Sequence, residues 1–194
     1  MTTLTLNLSS LVDKVSDREL ELLSGDNPDA RLETNSKGQL LIMAPTGGET
    51  GKKNGDLFGQ LWYWNRQQQN SGIVFDSSTG FKLSNNAVRS PDVSWVAIEK
   101  WNSLTKEQRR KYLPLAPDFA IELMSPTDSL SELQNKMKEY IDCGVRLGWL
   151  INPDEKQVEI YRQGKNTEIL DNPQTLLGED VLPSLIVDLL DILD

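Results

Sequence analysis

Two periodicities alternate along the chain. Short apolar runs bounded by turn residues mark strands, and between them apolar positions three and four apart mark helices. The densest segment runs from 116 to 152, APDFAIELMSPTDSLSELQNKMKEYIDCGVRLGWLIN. Residues 119–124 read as a strand. Ser125-Pro126 ends it, because Pro126 lacks a backbone donor and drives its predecessor towards extended conformations. Ser129 and Glu132 have the spacing of a capping box, so a helix is expected from Ser129. Leu133, Met137, Tyr140 and Ile141 share one face of that helix, and Gly144 is placed to close it in a left-handed conformation. Residues 147–152, the Pro153-Asp154 turn and residues 157–161 read as a hairpin.

Upstream, Ser16 and Glu19 make another capping box, opening a short helix through Leu23. Residues 30–34 and 39–44 flank Asn35-Ser36-Lys37-Gly38, a hairpin turn. Pro45-Thr46-Gly47-Gly48 breaks the second strand, and a long helix is expected to about residue 70. Leu57, Leu61 and Trp64 form its apolar face, widened by Phe58 and Trp62. Residues 73–76 and 80–83 read as short strands, Asn85-Asn86 as a turn, and residues 90–98 as a second apolar strand with Asp92 near its start. Thr105 can cap a helix bearing Lys106, Arg109, Arg110 and Lys111. From Gly178 on, Leu182, Leu185, Ile186, Leu189, Leu190 and Leu193 recur among acids, as an amphipathic element or a partner face. With no internal repeat or interdomain linker, one α/β domain over residues 1–194 is expected.

Composition narrows the chemistry. Apolar content of 38% and charged content of 25% are those of a globular protein. The chain has no histidine and one cysteine, Cys143. A zinc site of the usual kind and a histidine-based triad are therefore excluded. Any metal must be held by oxygen, which points to Mg²⁺ or Mn²⁺. A lone cysteine, no apolar run of membrane-spanning length and no signal-peptide layout together lead to an expectation of a cytoplasmic protein without membrane contact. The net charge of −9 argues at first against nucleic acid. Residues 166–194 hold seven acids and no base, which leaves only −2 to the first 165 residues. Residues 45–111 carry ten Lys/Arg against six Asp/Glu, a local +4 that permits a polyanionic partner.

Glu122 is the chemical anomaly, an acid among Ile121, Leu123 and Met124. A carboxylate there is costly unless a cation or donor answers it. On the following helix Lys136 lies at the shoulder of the apolar stripe, whereas Lys138 lies well round towards solvent. Asp92 and Glu122, converging from neighbouring strands, can hold a hard divalent cation, and a lysine beside them can stabilise charge developing on a phosphate. Bland alternatives stay open: Asp92 paired with an arginine such as Arg89, Glu122 in a buried salt bridge with Lys136, and Lys136 as an exposed residue whose stem covers the core. Glu49 either complements the dipole of the long helix or points a further carboxylate at the site.

Pro91-Asp92, then PDFAIELMSP, a lysine four before Tyr140, GVRLGWLINP and VEIYR together resemble the Uma-type putative restriction endonucleases, a bacterial branch of the PD-(D/E)XK nuclease superfamily. The likeness runs from MAPTGGETG near residue 43 to VLPSL near residue 183. It implies a restriction-endonuclease-like mixed central sheet flanked by helices, with residues 119–124 near its middle. Met124 stands where the superfamily's usual lysine would be, and the resemblance implies that the lysine has moved to Lys136. It also implies Asp92 and Glu122 as ligands of Mg²⁺ or Mn²⁺, joined by the Leu123 carbonyl, with Glu49 as a first-helix acid. Three activities fit: a metal-dependent DNA endonuclease, a catalytically silent relative that binds nucleic acid or a partner, and a hydrolase of small phosphoesters. Cutting both strands of a duplex with one site per chain favours a two-fold homodimer. The tail near residues 185–193 and exposed aromatics such as Trp101 are its expected interface.

Overall fold

The computed structural model describes residues 14–194, with the backbone of residues 3–6. Two main sheets divide the strands. One has the order β1 (Thr3–Leu6), β3 (Leu40–Met43), β2 (Arg31–Thr34), β6 (Val88–Arg89) and β5 (Phe81–Lys82), all antiparallel. The other runs β11 (Glu168–Asp171), β10 (Gln157–Arg162), β9 (Leu147–Asn152), β8 (Phe119–Leu123), β7 (Val93–Ala97) and β4 (Gly72–Asp76). In it only β8 and β9 are parallel, so this sheet is mixed, with β8 near its middle. A ribbon of β12 (Thr175–Leu177) and β13 (Ile186–Asp188) completes the strands among the described residues.

Alternation along β8 decides what lies on each face of the mixed sheet. Phe119, Ile121 and Leu123 point to a cluster with Leu57, Leu61 and Trp64 of the long helix α2 (Gly48–Gln67). Ala120 points the other way, to Met137 and Tyr140 of α4 (Leu130–Asp142), and Glu122 shares that face by parity. A Cβ on Gly148 would stand 2.5 Å from the Met137 methyl, so the bare glycine on β9 lets α4 lie close to the sheet. Gly144, at φ +110°, turns the chain out of α4, while Val145 N–H donates to Tyr140 O and Gly144 N–H to Ile141 O. Those two bonds make the Schellman closure that the glycine's position implies. At the far end of α2, Asn65 brackets Gly72 through its N–H and carbonyl at 3.1 and 3.0 Å and accepts from Trp95 Nε1 at 3.0 Å. This pins α2 to β4 and β7.

Several expectations need correction. The Ser16–Glu19 box forms at the start of α1 (Asp17–Asp26), but Ser129 caps α4 without a side-chain bond, its hydroxyl meeting Ser131 Oγ at 3.0 Å. Thr105 does exchange capping bonds with Gln108, yet the chain then makes only a single 3₁₀ turn over Gln108–Arg110. Arg109 of that turn is drawn back onto Trp101, donating to its carbonyl at 2.8 Å and stacking on its ring. The strand expected over 90–98 begins only at Val93, and Ile98 opens α3 (Ile98–Ser103). Most of the tail is not a free face. Leu182, Leu185, Leu189 and Leu193 are buried against α2 and the mixed sheet, partly through α5 (Leu190–Leu193). Trp101 is part-buried beside Phe75. Ile186 and Leu190 of the tail stay exposed, so the expected interface is reduced to those two side chains and the accessible part of Trp101. Among the described residues no helix is long and apolar enough to cross a membrane.

Candidate active site

Ser90-Pro91-Asp92 carries the chain from the five-stranded sheet into the mixed one, between β6 and β7. Asp92 therefore sits just beyond the Val93–Ile121 pair, at the end of β7 nearest Glu122. Its Oδ2 accepts the Leu123 N–H at 2.9 Å, and its Oδ1 lies 3.6 Å from Arg31. Glu122 Oε1 receives the Tyr140 hydroxyl at 2.7 Å and stands 2.9 Å from Lys136 Nζ. Lys136 and Tyr140 are one helical turn apart on α4, so both reach the same carboxylate. From the other sheet, Glu33 on β2 enters the group. It accepts the Ser90 N–H at 2.9 Å and pairs with Arg89 at 3.3 Å and Lys136 at 3.5 Å. Arg89 in turn binds Glu139 of α4 at 2.6 Å.

The electrostatics of this group are unequal. Burial pushes the Glu122 carboxyl up to about 7; Lys136 opposes the rise, while Asp92 and Glu33 add to it. Burial would also lift Glu33, but Lys136, Arg89, Arg31 and the Ser90 N–H together hold it below the usual carboxylate range. Burial works against the Lys136 ammonium, yet Glu122 and Glu33 more than offset that and raise its pKa. Burial, reinforced by the negative neighbours Glu122 and Glu33, moves the Tyr140 phenol well above its ordinary value. At neutral pH Lys136 is thus a firm cation, and Glu122 is the carboxyl that shares its site with a proton.

The family model of Uma2, described as a putative restriction endonuclease, matches residues 17–191. The chain belongs to the Uma2 family. Among solved structures, the crystal structure of a putative nuclease belonging to DUF820 from Anabaena variabilis ATCC 29413 is similar with a TM-score of 0.70. It is 21% identical, over 84% of this chain and 89% of that one, a likeness that carries the fold. No curated protein matches the chain.

Within this Uma2 domain the structure brings together Asp92, Glu122, Leu123 and Lys136. They line one cavity of about 40 Å³, along with Arg31, Asn54 and others. Lys138 is exposed and opens instead, with Lys136, onto a neighbouring cleft of about 920 Å³ between the β2–β3 hairpin and α4. Glu49 is not brought to the group: its side chain is 80% exposed and faces Lys53 at 3.6 Å. Among the described residues no three acids or cysteines cluster as a preformed metal cage. Sequence reasoning missed Glu33 and Arg31, offered Arg89 as the partner of Asp92 where the structure pairs Arg31 with it and Arg89 with Glu33 and Glu139, and treated Tyr140 only as part of an apolar stripe. One signal was present in the RLET strand, where alternation sets Arg31 and Glu33 on one side and Leu32 on the other.

Proposed function

We propose that this chain is a divalent-cation-dependent endonuclease that hydrolyses phosphodiester bonds in DNA. Asp92 and Glu122 hold Mg²⁺ or Mn²⁺, with the Leu123 carbonyl as a further oxygen, and Lys136 assists at the phosphate. What supports this most is the convergence of two buried carboxylates from adjacent strands on one cavity, with an ammonium 2.9 Å from one of them. The donors fit a hard cation, since all are oxygens. The proton affinity that Asp92 and Glu33 add to Glu122 fits too, because a bound cation relieves the same crowding of negative charge.

A divalent cation in such a site acidifies water and offsets charge on a phosphodiester. The chain's own groups do the rest. The Leu123 N–H fixes the Asp92 carboxylate, and the Tyr140 hydroxyl fixes that of Glu122. Lys136, kept protonated by Glu122 and Glu33, donates to the phosphate oxygen on which negative charge grows. Two copies acting on opposite strands would complete a double-strand cut.

Of the two kinds of silent relative, one that binds nucleic acid and one that binds a protein partner, one observation favours the second, because an excess of acids repels a polyanion. Among the described residues, the cleft beside the site is lined by five acids, including Glu132 and Asp142, against four bases. Incubation of supercoiled plasmid and of a small phosphodiester with Mg²⁺ or Mn²⁺ separates these activities. Plasmid nicking that EDTA abolishes is expected. Hydrolysis of the small ester alone would make the protein a small-substrate hydrolase, and no turnover of either would leave the silent reading.

A further inference from the structure

Helix α2 reaches the cavity that holds Asp92 and Glu122 through Thr50 and Asn54, one turn apart. Asn54 stands out for a different reason. Its Oδ1 is shut off from solvent and accepts no hydrogen bond among the described residues. Buried polar atoms are almost always paired, and an unpaired one is costly. Of the side-chain oxygens buried in this condition among the described residues, Thr46 Oγ1, Asn54 Oδ1 and Ser94 Oγ, only that of Asn54 belongs to a residue on this cavity's wall. An acceptor left without a donor, beside two carboxylates, is a seat for something positive.

The chemistry of the neighbours narrows what that is. Arg31 and Lys136 already answer Asp92 and Glu122. An amide oxygen brings a hard donor without a further negative charge, and so does not add to the crowding around Glu122. Hard divalent cations take six or more oxygens and accept amide carbonyls among them. Glu49, on the same helix, is turned to solvent and occupied by Lys53, so α2 offers the cavity an amide and not an acid. The helix is held where it offers it, since Asn65 pins its far end to β4 and β7.

We infer that Asn54 Oδ1 is a third side-chain ligand of the divalent cation, an inference that rests on the cation site proposed above. The competing occupant is a single water, for which a cavity of this size has room. Mn²⁺ titration without DNA, by calorimetry and by the loss of free-Mn²⁺ electron paramagnetic resonance signal, distinguishes the two. Asn54→Ala should weaken Mn²⁺ binding by about tenfold or more, a loss seen even when an outer partner of a metal ligand is removed. Asn54→Asp should tighten it, because charge count sets affinity for hard cations. In EDTA, Asn54→Ala should melt at or above the wild-type temperature, since an unpaired buried acceptor has gone.

Wild-type affinity in Asn54→Ala, with Asp92→Ala weakened, would overturn the inference and leave the cation site standing, with water at Asn54. Wild-type affinity in Asp92→Ala, or no uptake by the wild type, would overturn both. A lower melting temperature for Asn54→Ala in EDTA, with unchanged affinity in the folded protein, would make the residue structural and also overturn the inference.

Discussion

Glu122 is the residue on which the chemistry turns, and its protonation gives the most direct handle on the metal-free protein. Its folded pKa is raised from 4.5 to about 7, so the fold favours its protonated form. That contribution is complete below the ordinary value and is lost as pH rises through about 7. Glu33 behaves oppositely: its pKa is lowered, so its contribution is present above the ordinary value of 4.5 and is lost as pH falls. Thermal melts in EDTA should therefore peak on the acid side of neutrality, and Glu122→Gln should flatten the alkaline arm. Saturating Mn²⁺ should move the peak upward, because a cation favours the ionised carboxylate. A peak at alkaline pH in EDTA would contradict the assignment. Tyr140→Phe removes a hydrogen bond to a charged acceptor and should cost about 1.5–3 kcal/mol of stability in urea titrations above pH 7. At this scale the sequence was legible where one residue broke its surroundings, as Glu122 does among Ile121, Leu123 and Met124. Tyr140 was not legible in the same way. Its ring suits the apolar stripe of α4, and nothing local tells that its hydroxyl is used by another element.

The elements explain both what could be read and what could not. The periodicity of α4 put Lys136 at the shoulder of the stripe, and that phase brings its ammonium to Glu122 while Lys138 stays exposed. Gly144 was legible because its conformation is demanded locally. Gly144→Ala should cost about 1–2 kcal/mol in urea denaturation, the penalty of a side chain in left-handed backbone, with cleavage retained in the folded fraction. The failures came where a distant contact outweighs a local signal. Thr105 and Gln108 cap each other, yet Trp101 captures Arg109 and the helix stops after one turn. Leu182, Leu185, Leu189 and Leu193 of the tail read as part of a partner face because the sequence does not say that α2 and the mixed sheet lie against them. Glu33 and Arg31 were overlooked for a related reason. The hairpin itself is written in Asn35 and Gly38, whereas the packing of one of its faces against α4 is a matter of tertiary arrangement.

For the whole molecule the decisive balance is electrostatic. The net charge is −9, and among the described residues the cleft beside the site holds four bases. Each phosphate contact through Lys or Arg contributes about −0.9 to the slope of log affinity against log salt. Duplex binding in Ca²⁺, monitored by fluorescence anisotropy, should give a slope no steeper than about −4, and EDTA should weaken it further. A markedly steeper slope would place DNA on another surface. Light scattering should find two chains per particle, and a monomer at high concentration would count against the two-copy arrangement. The central claim is that Asp92 and Glu122 hold the cation while Lys136 serves the phosphate, and single-turnover cleavage of duplex DNA at saturating Mn²⁺ tests it most directly. Asp92→Ala and Glu122→Gln should fall to background. Lys136→Ala should lose about 2–4 kcal/mol of barrier lowering, roughly 30- to 900-fold in rate, and Lys138→Ala should cut at nearly the wild-type rate. Wild-type rates from Asp92→Ala or Lys136→Ala, or loss of cleavage in Lys138→Ala alone, would contradict the account.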